Sequence, residues 1–91
     1  MPRWAFALQS MTPNPFTGGP LEIRFTMPES GPVVVRLVDL TGRAVMFHEG
    51  SFPAGEGSLV LLPGARMSPG IYFVQLSQGG VRAVRKVSVL R

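Results

Sequence analysis

One histidine, His48, and five carboxylates, Glu22, Glu29, Asp39, Glu49 and Glu56, are the side chains through which this chain could move a proton near neutral pH. A triad, a metal site or a histidine acid–base pair would have to be built around His48 alone. There is no cysteine, so thiolate metal sites and disulfides are excluded. Glycosidase chemistry needs two carboxyl groups facing each other across a cleft. Three of the five lie in or beside turn signals, and Glu22 falls on the polar face of an alternating strand. Asp39 reads as a turn former. Calcium needs several converging oxygens, and no Asp/Asn-rich loop supplies them. No HExxH, GxSxG, GxGxxG or P-loop spacing appears. The residues point to a module without catalytic, metal or cofactor chemistry.

Nine basic residues against five acidic ones give a net charge of +4 and a pI near 11.2. That balance favours acidic partners. The basic residues are dispersed along strands, however, and are not interleaved with aromatics as a nucleic-acid platform requires, so no nucleic-acid role is expected. No apolar run approaches the ~18–20 residues of a membrane span. The stretch Trp4–Leu8 is shorter than the ~7–15-residue apolar region of a signal peptide.

Eleven glycines and nine prolines punctuate short segments rich in Val, Leu, Ile and Phe. Nothing keeps a helical period for the ~10–12 residues that a helix needs, whereas turn signals recur about every 8–12 residues. The pattern predicts an all-β fold: an immunoglobulin-like antiparallel β-sandwich of six to seven short strands, with a small barrel as the alternative. Leu21–Met27 alternates cleanly. Val33–Asp39 places Val33, Val35 and Leu37 inward and Val34, Arg36 and Val38 outward. Asp39-Leu40-Thr41-Gly42-Arg43 is a tight turn in which Asp39 accepts backbone hydrogen bonds and Gly42 takes a positive φ. Ala44–His48 pairs back, with Val45 and Phe47 read as core contributors. Phe52–Gly55 is a loop, Gly57–Leu62 a further strand and Pro63–Pro69 a longer loop. A short segment at Trp4–Leu8 makes the seventh strand.

The chain closes on a hairpin. Gly70–Leu76 runs to a Gly79-Gly80 turn, and Val81–Leu90 returns, leaving Arg91 as the last residue. In the second strand Lys86 shares a face with Arg82, Val84, Ser88 and Leu90. Arg85 interrupts the apolar set Val81, Ala83, Val87 and Val89. Either a bulge shifts the register near Arg85, or both faces are mixed. A basic edge strand can deter aggregation or receive a partner's strand.

Three ordered blocks carry a resemblance over residues 12–91. The first is Pro13-Asn14-Pro15-Phe16 ahead of Leu21–Met27. The second is Val33–Leu37 running into Asp39-Leu40-Thr41-Gly42-Arg43-Ala44-Val45. The third is Pro53-Ala54-Gly55, Met67-Ser68-Pro69-Gly70-Ile71-Tyr72-Phe73 and Arg85-Lys86-Val87. The set resembles the C-terminal sorting domain of the type IX secretion system, and it is similar to the immunoglobulin-like domain of flagellar hook-capping proteins. Val38 stands where that family often has an aromatic, and Arg91 where it often has lysine.

The resemblance implies a non-catalytic module, at the end of a larger exported protein, read by outer-membrane secretion and attachment machinery. Residues 1–11 would then be a linker or first short strand from an N-terminal passenger, which is expected to be an enzyme. Gly70, Tyr72, Arg85, Lys86, Val87, Leu90 and Arg91 become the recognition positions, and Asn14, Asp39, Gly42, Gly79 and Gly80 the turn formers. Location at the cell surface or outside the cell follows. The rival readings are a carbohydrate-binding module, with Trp4 and Tyr72 as leading aromatics and Phe6, Phe16, Phe47, Phe52 and Phe73 behind them, and a structural spacer.

Overall fold

The computed structural model describes residues 5–63 and 67–90 of the chain. The described residues form seven strands: β1 (Ala7–Thr12), β2 (Leu21–Met27), β3 (Gly31–Asp39), β4 (Ala44–Phe52), β5 (Gly55–Leu61), β6 (Gly70–Gln78) and β7 (Val81–Val89). All the pairings between strands are antiparallel, in a three-stranded sheet ordered β1-β2-β5 and a four-stranded sheet ordered β4-β3-β6-β7. The all-β sandwich is therefore observed. Trp4, Arg91 and positions 64–66 of the long loop lie outside the described residues.

Alternation builds the core. Leu21, Ile23, Phe25 and Met27 of β2 are fully buried, and Leu59 and Leu61 extend their layer. From the opposite sheet come Val33, Val35 and Leu37 of β3, Tyr72, Val74 and Leu76 of β6, and Val87 and Val89 of β7. Period-two placement of β-branched and long aliphatic residues lets each sheet offer one dry face. The buried hydroxyl of Thr26 donates to the Ala5 carbonyl at 2.6 Å, so no polar group is stranded there.

The structure corrects four sequence expectations. The first strand is Ala7–Thr12, not Trp4–Leu8, because an irregularity between Leu8 and Ser10 lets both Leu8 and Met11 face the core. Their odd spacing hides the strand from a period-two reading. Val38 is buried rather than outward, beside a register shift between Leu37 and Val38. On β4, Met46 stands opposite Leu37 and packs against the core, which turns Val45 and Phe47 out to 44% and 56% exposure. Neither is a core residue. Finally, Pro53 and Ala54 alone join β4 to β5, so Gly55 opens a strand that ends at Leu61.

Two local devices set the register. The Asp39 carboxylate accepts the Thr41 N–H at 2.9 Å, the Thr41 hydroxyl at 2.6 Å and the Arg43 N–H at 3.0 Å. Backbone bonds from Asp39 N to Arg43 O and from Gly42 N to Asp39 O, both 3.0 Å, close the turn, with Gly42 at φ +86°. The second device is Gly57, which stands opposite Phe25. A Cβ there would lie 2.6 Å from Phe25 Cε1. The ring cannot yield, since it is fully buried and packs edge-on against Phe52, with centroids 5.1 Å apart.

Gly57→Ala should therefore cost about 1–3 kcal/mol through overpacking. Gly80→Ala, where a Cβ meets nothing within 4 Å, should be nearly neutral; denaturant melts of the two variants check this. The Asp39 carboxyl is held below its ordinary value of 3.8, chiefly by the Thr41 hydroxyl. Desolvation opposes this, and the Arg43 and Thr41 N–H groups and the Arg43 charge, each a lesser effect, add to the lowering. A pKa lowered by folding gives stability that is complete above 3.8 and lost as pH falls through the lower folded value. Asp39→Asn should flatten that part of the acid limb in thermal melts followed against pH.

Candidate functional site

The β6–β7 hairpin brings most of the candidate residues together. Gly79 and Gly80 form a two-residue connection with Gly79 at φ +60°. A positive φ at the first loop position suits the right-handed twist of a hairpin. Pairing then runs without a shift from Gln78 opposite Val81 to Gly70 opposite Val89. No bulge forms near Arg85, so the faces of β7 are mixed.

Arg85 stands opposite the buried Val74, on the core side of the sheet. Because β7 is an edge strand, its long side chain leaves the core and reaches β1. One guanidinium nitrogen donates to the Leu8 carbonyl at 3.2 Å and to the Gln9 carbonyl at 2.8 Å. These two residues lie at the β1 irregularity, where Leu8 pairs with Phe25 and the register shifts before Ser10. Arg85 is thus an inter-sheet strap, which explains a cation at an inward position.

Lys86, opposite Phe73, is exposed on the outer face. Its backbone belongs to a second device. Asn14 Nδ2 donates to the Lys86 carbonyl at 3.3 Å, while Asn14 Oδ1 accepts the Ser88 N–H at 3.1 Å. The Phe16 N–H donates to Ser88 O at 2.7 Å, and the Leu90 N–H donates to Phe16 O at 2.8 Å, forming a parallel bridge between Phe16 and Val89. A side-chain amide carries one acceptor and two donors, so Asn14 mimics a peptide unit along the strand edge. The Phe16 ring is buried in the core. Residues 14–16 therefore clasp the last half of β7. The peptide bonds Thr12-Pro13 and Asn14-Pro15 are cis. Sequence reading took Asn14 for a turn former; its partners lie more than seventy positions away.

The remaining candidates divide by access. Tyr72 and Val87, opposite one another, are buried, and the Tyr72 hydroxyl donates to the Ser68 carbonyl at 2.9 Å at the rim. Gly70, at φ +151°, opens β6 in a conformation that L side chains rarely adopt. Lys86 and Leu90 present side chains to solvent, Leu90 at 52% exposure.

The aromatic candidates for sugar stacking are mostly spent in packing. Phe16 and Tyr72 are buried, Phe6 and Phe52 pack against the core, and Phe73 is half-buried. Among the described residues Phe47 is the one exposed aromatic of that set. A shallow depression of about 290 Å³ on the other sheet is lined by Gln9, Arg24, Glu56, Gly57 and Ser58, without an aromatic. Among the described residues no group of three or more His, Cys, Asp or Glu is placed to hold a metal ion. No helix of the described structure is long and apolar enough to cross a membrane.

The hairpin, the Asp39 turn and the Asn14 segment all lie within one matched stretch. Residues 10–90 match the secretion system C-terminal sorting domain, and the chain belongs to that family. Such a domain directs export through the outer membrane to the cell surface or extracellular space, and it works with secretion machinery on an N-terminal cargo. Among solved structures, a β-glucosidase from Listeria innocua is similar at TM-score 0.61 and 16% identity, covering 97% of this chain and 16% of that one. The same enzyme in complex with isofagomine is similar at TM-score 0.58 and 17% identity, with 97% and 16% covered. At that identity the likeness is one of fold. The chain spans 16% of the length of these enzymes. No curated protein matches the chain.

Asn14→Ala removes both side-chain bonds to β7 and should cost about 1 kcal/mol. Hydrogen exchange at the Ser88 amide should quicken in this variant. Asn14→Asp keeps the acceptor and loses the donor, so Ser88 should stay protected. Equal loss of Ser88 protection in both variants would show that the clasp does not depend on that acceptor.

Proposed function

We propose that this domain delivers a larger exported protein, whose passenger is an enzyme, to the outer-membrane secretion machinery and then serves its attachment at the cell surface. The element read is the closing hairpin. Lys86, Leu90 and Arg91 meet the machinery. Gly70, Tyr72 and Val87 hold the strand in register, and Arg85 fixes it against β1. The family match over residues 10–90 is the observation that carries this reading. The access of the side chains supports it, since Lys86 and Leu90 are exposed while Tyr72 and Val87 are not. Weighing against a sugar platform, Phe47 is the one exposed ring of that set among the described residues, and stacking needs two or three coplanar rings.

Deleting Val87–Arg91 would be a poor test, because Val87 and Val89 belong to the core. Surface changes separate signal from fold. The chain is fused behind a periplasm-directed reporter in a host with a type IX system. Lys86→Glu with Leu90→Ser should leave the circular dichroism spectrum and melting temperature unchanged, and the reporter should stay in the periplasm. Normal export of a folded double variant would remove these two side chains from the signal. Export that proceeds without surface retention would defeat the attachment role alone.

A further inference from the structure

The two lateral sides of the sandwich are treated differently. Along one side β1 and β7 meet, and that side is closed by the Arg85 strap and by the Asn14–Phe16 clasp. Arg82, Arg85 and Lys86 add charge along the same strand. These are the means by which a sheet edge is kept from pairing with another chain.

Along the other side run β4 and β5, joined by Pro53 and Ala54. β4 ends its sheet, is nine residues long, and contains neither proline, lysine nor arginine. No bond of the clasp or strap kind covers it among the described residues. About half of its N–H and C=O groups point away from β3, as in any antiparallel edge strand. Its inward side chains are incompletely covered: Met46 and Phe52 pack on the core yet are only partly buried, and His48 between them, opposite the buried Val35, is exposed. On its outer face Phe47 is open, with the Arg36 guanidinium carbon 6.0 Å from the ring centre. Arg43 precedes the strand and is exposed, while the nearby carboxylate of Asp39 is engaged by its turn.

We propose that the free edge of β4 is a docking seam for an extended segment of a partner protein, added as a fifth strand, apolar on its inner face and acidic on its outer face. The inner side chains would complete the cover of Met46 and Phe52, and the acidic ones would meet Arg36 and Arg43. Strand addition takes its affinity from main-chain hydrogen bonds and its selectivity from alternate side chains. Net charge weighs against a second copy of this chain as the occupant. Two chains of +4 would be brought edge to edge, with Arg36 and Arg43 of each beside the seam. Glu49, the one carboxylate on β4, stands opposite Val34 on the same outer face as Phe47, so the acidic side chains of the partner belong beside Ala44–Phe47 and its residue beside Glu49 should be neutral. This seam is distinct from the hairpin edge and does not rest on the sorting role.

The isotope-labelled chain is titrated with a seven-residue peptide of alternating valine and glutamate, followed by amide chemical shifts and hydrogen exchange. A lysine–valine peptide of the same length is the comparator. The expected result is shifts and slowed exchange concentrated in Ala44–Phe52 with the acidic peptide, weakened by salt. Phe47→Ser, and separately Val45→Ser, both at exposed positions, should leave the fold intact. The first should weaken binding about tenfold, the equivalent of partly burying one aromatic side chain. Four results would overturn the proposal. One is equal binding of the two peptides. Others are shifts centred on β7 or β5, or concentration-dependent self-association through β4. The last is the same shifts produced by phosphatidylglycerol vesicles without peptide.

Discussion

The closure of the β1–β7 side is the constraint on which the rest of this sandwich depends. β7 is the last strand of its sheet, and its inner face supplies Val87 and Val89 to the core. The strand is held along its outer edge as well as by β6. The chain does this with residues from its own beginning. The Asn14 amide takes the place of a peptide unit, Phe16 supplies two backbone bonds, and the Phe16 ring enters the core behind them. Each bond is worth only about 1 kcal/mol net. Their joint effect is topological, because they tie the first fifth of the chain to the last few residues.

Arg85 completes that closure from within. A guanidinium facing the core would be costly if it were desolvated without partners. Here it escapes at the sheet edge and spends its donors on two β1 carbonyls. The irregularity in β1 and the cation in β7 thus meet at one place, where the guanidinium bonds the Leu8 and Gln9 carbonyls. A hydrophobic residue at position 85 would fill the same edge but leave those carbonyls to solvent, and the two sheets would lose their direct polar tie.

Strands that obey one period throughout were legible from residues alone. β2, the first two-thirds of β3, β6 and the ends of β7 appear where alternation places them, with the Asp39 turn and the Gly79-Gly80 connection between them. The misreadings share a cause. At Leu8–Ser10 and at Leu37–Val38 a one-residue irregularity changes the parity, and parity is the only thing that a period-two reading measures. Val45 and Phe47 looked like core because they are large and apolar, but Met46 between them occupies the inward position. The clasp was hidden for a different reason. Asn14 beside two prolines is good turn chemistry, and nothing local announces a partner at the far end of the chain. Alternation alone left open which of Arg85 and Lys86 faces outward, and the strap role of Arg85 needed the opposing sheet.

The same physics separates the two ends of the four-stranded sheet. A strand edge is a row of unspent hydrogen-bonding groups, and a domain that must cross an outer membrane without aggregating has reason to suppress every such row. β7 carries the suppression in full: a clasp, a strap and three cations. β4 carries none of it, and it adds Phe47 and Val45 in the open. Both edges belong to one small sheet of nearly equal strands, so chain length and packing do not account for the difference. What distinguishes them is that β7 is fastened by the chain itself, while among the described residues no such bond covers the groups of β4.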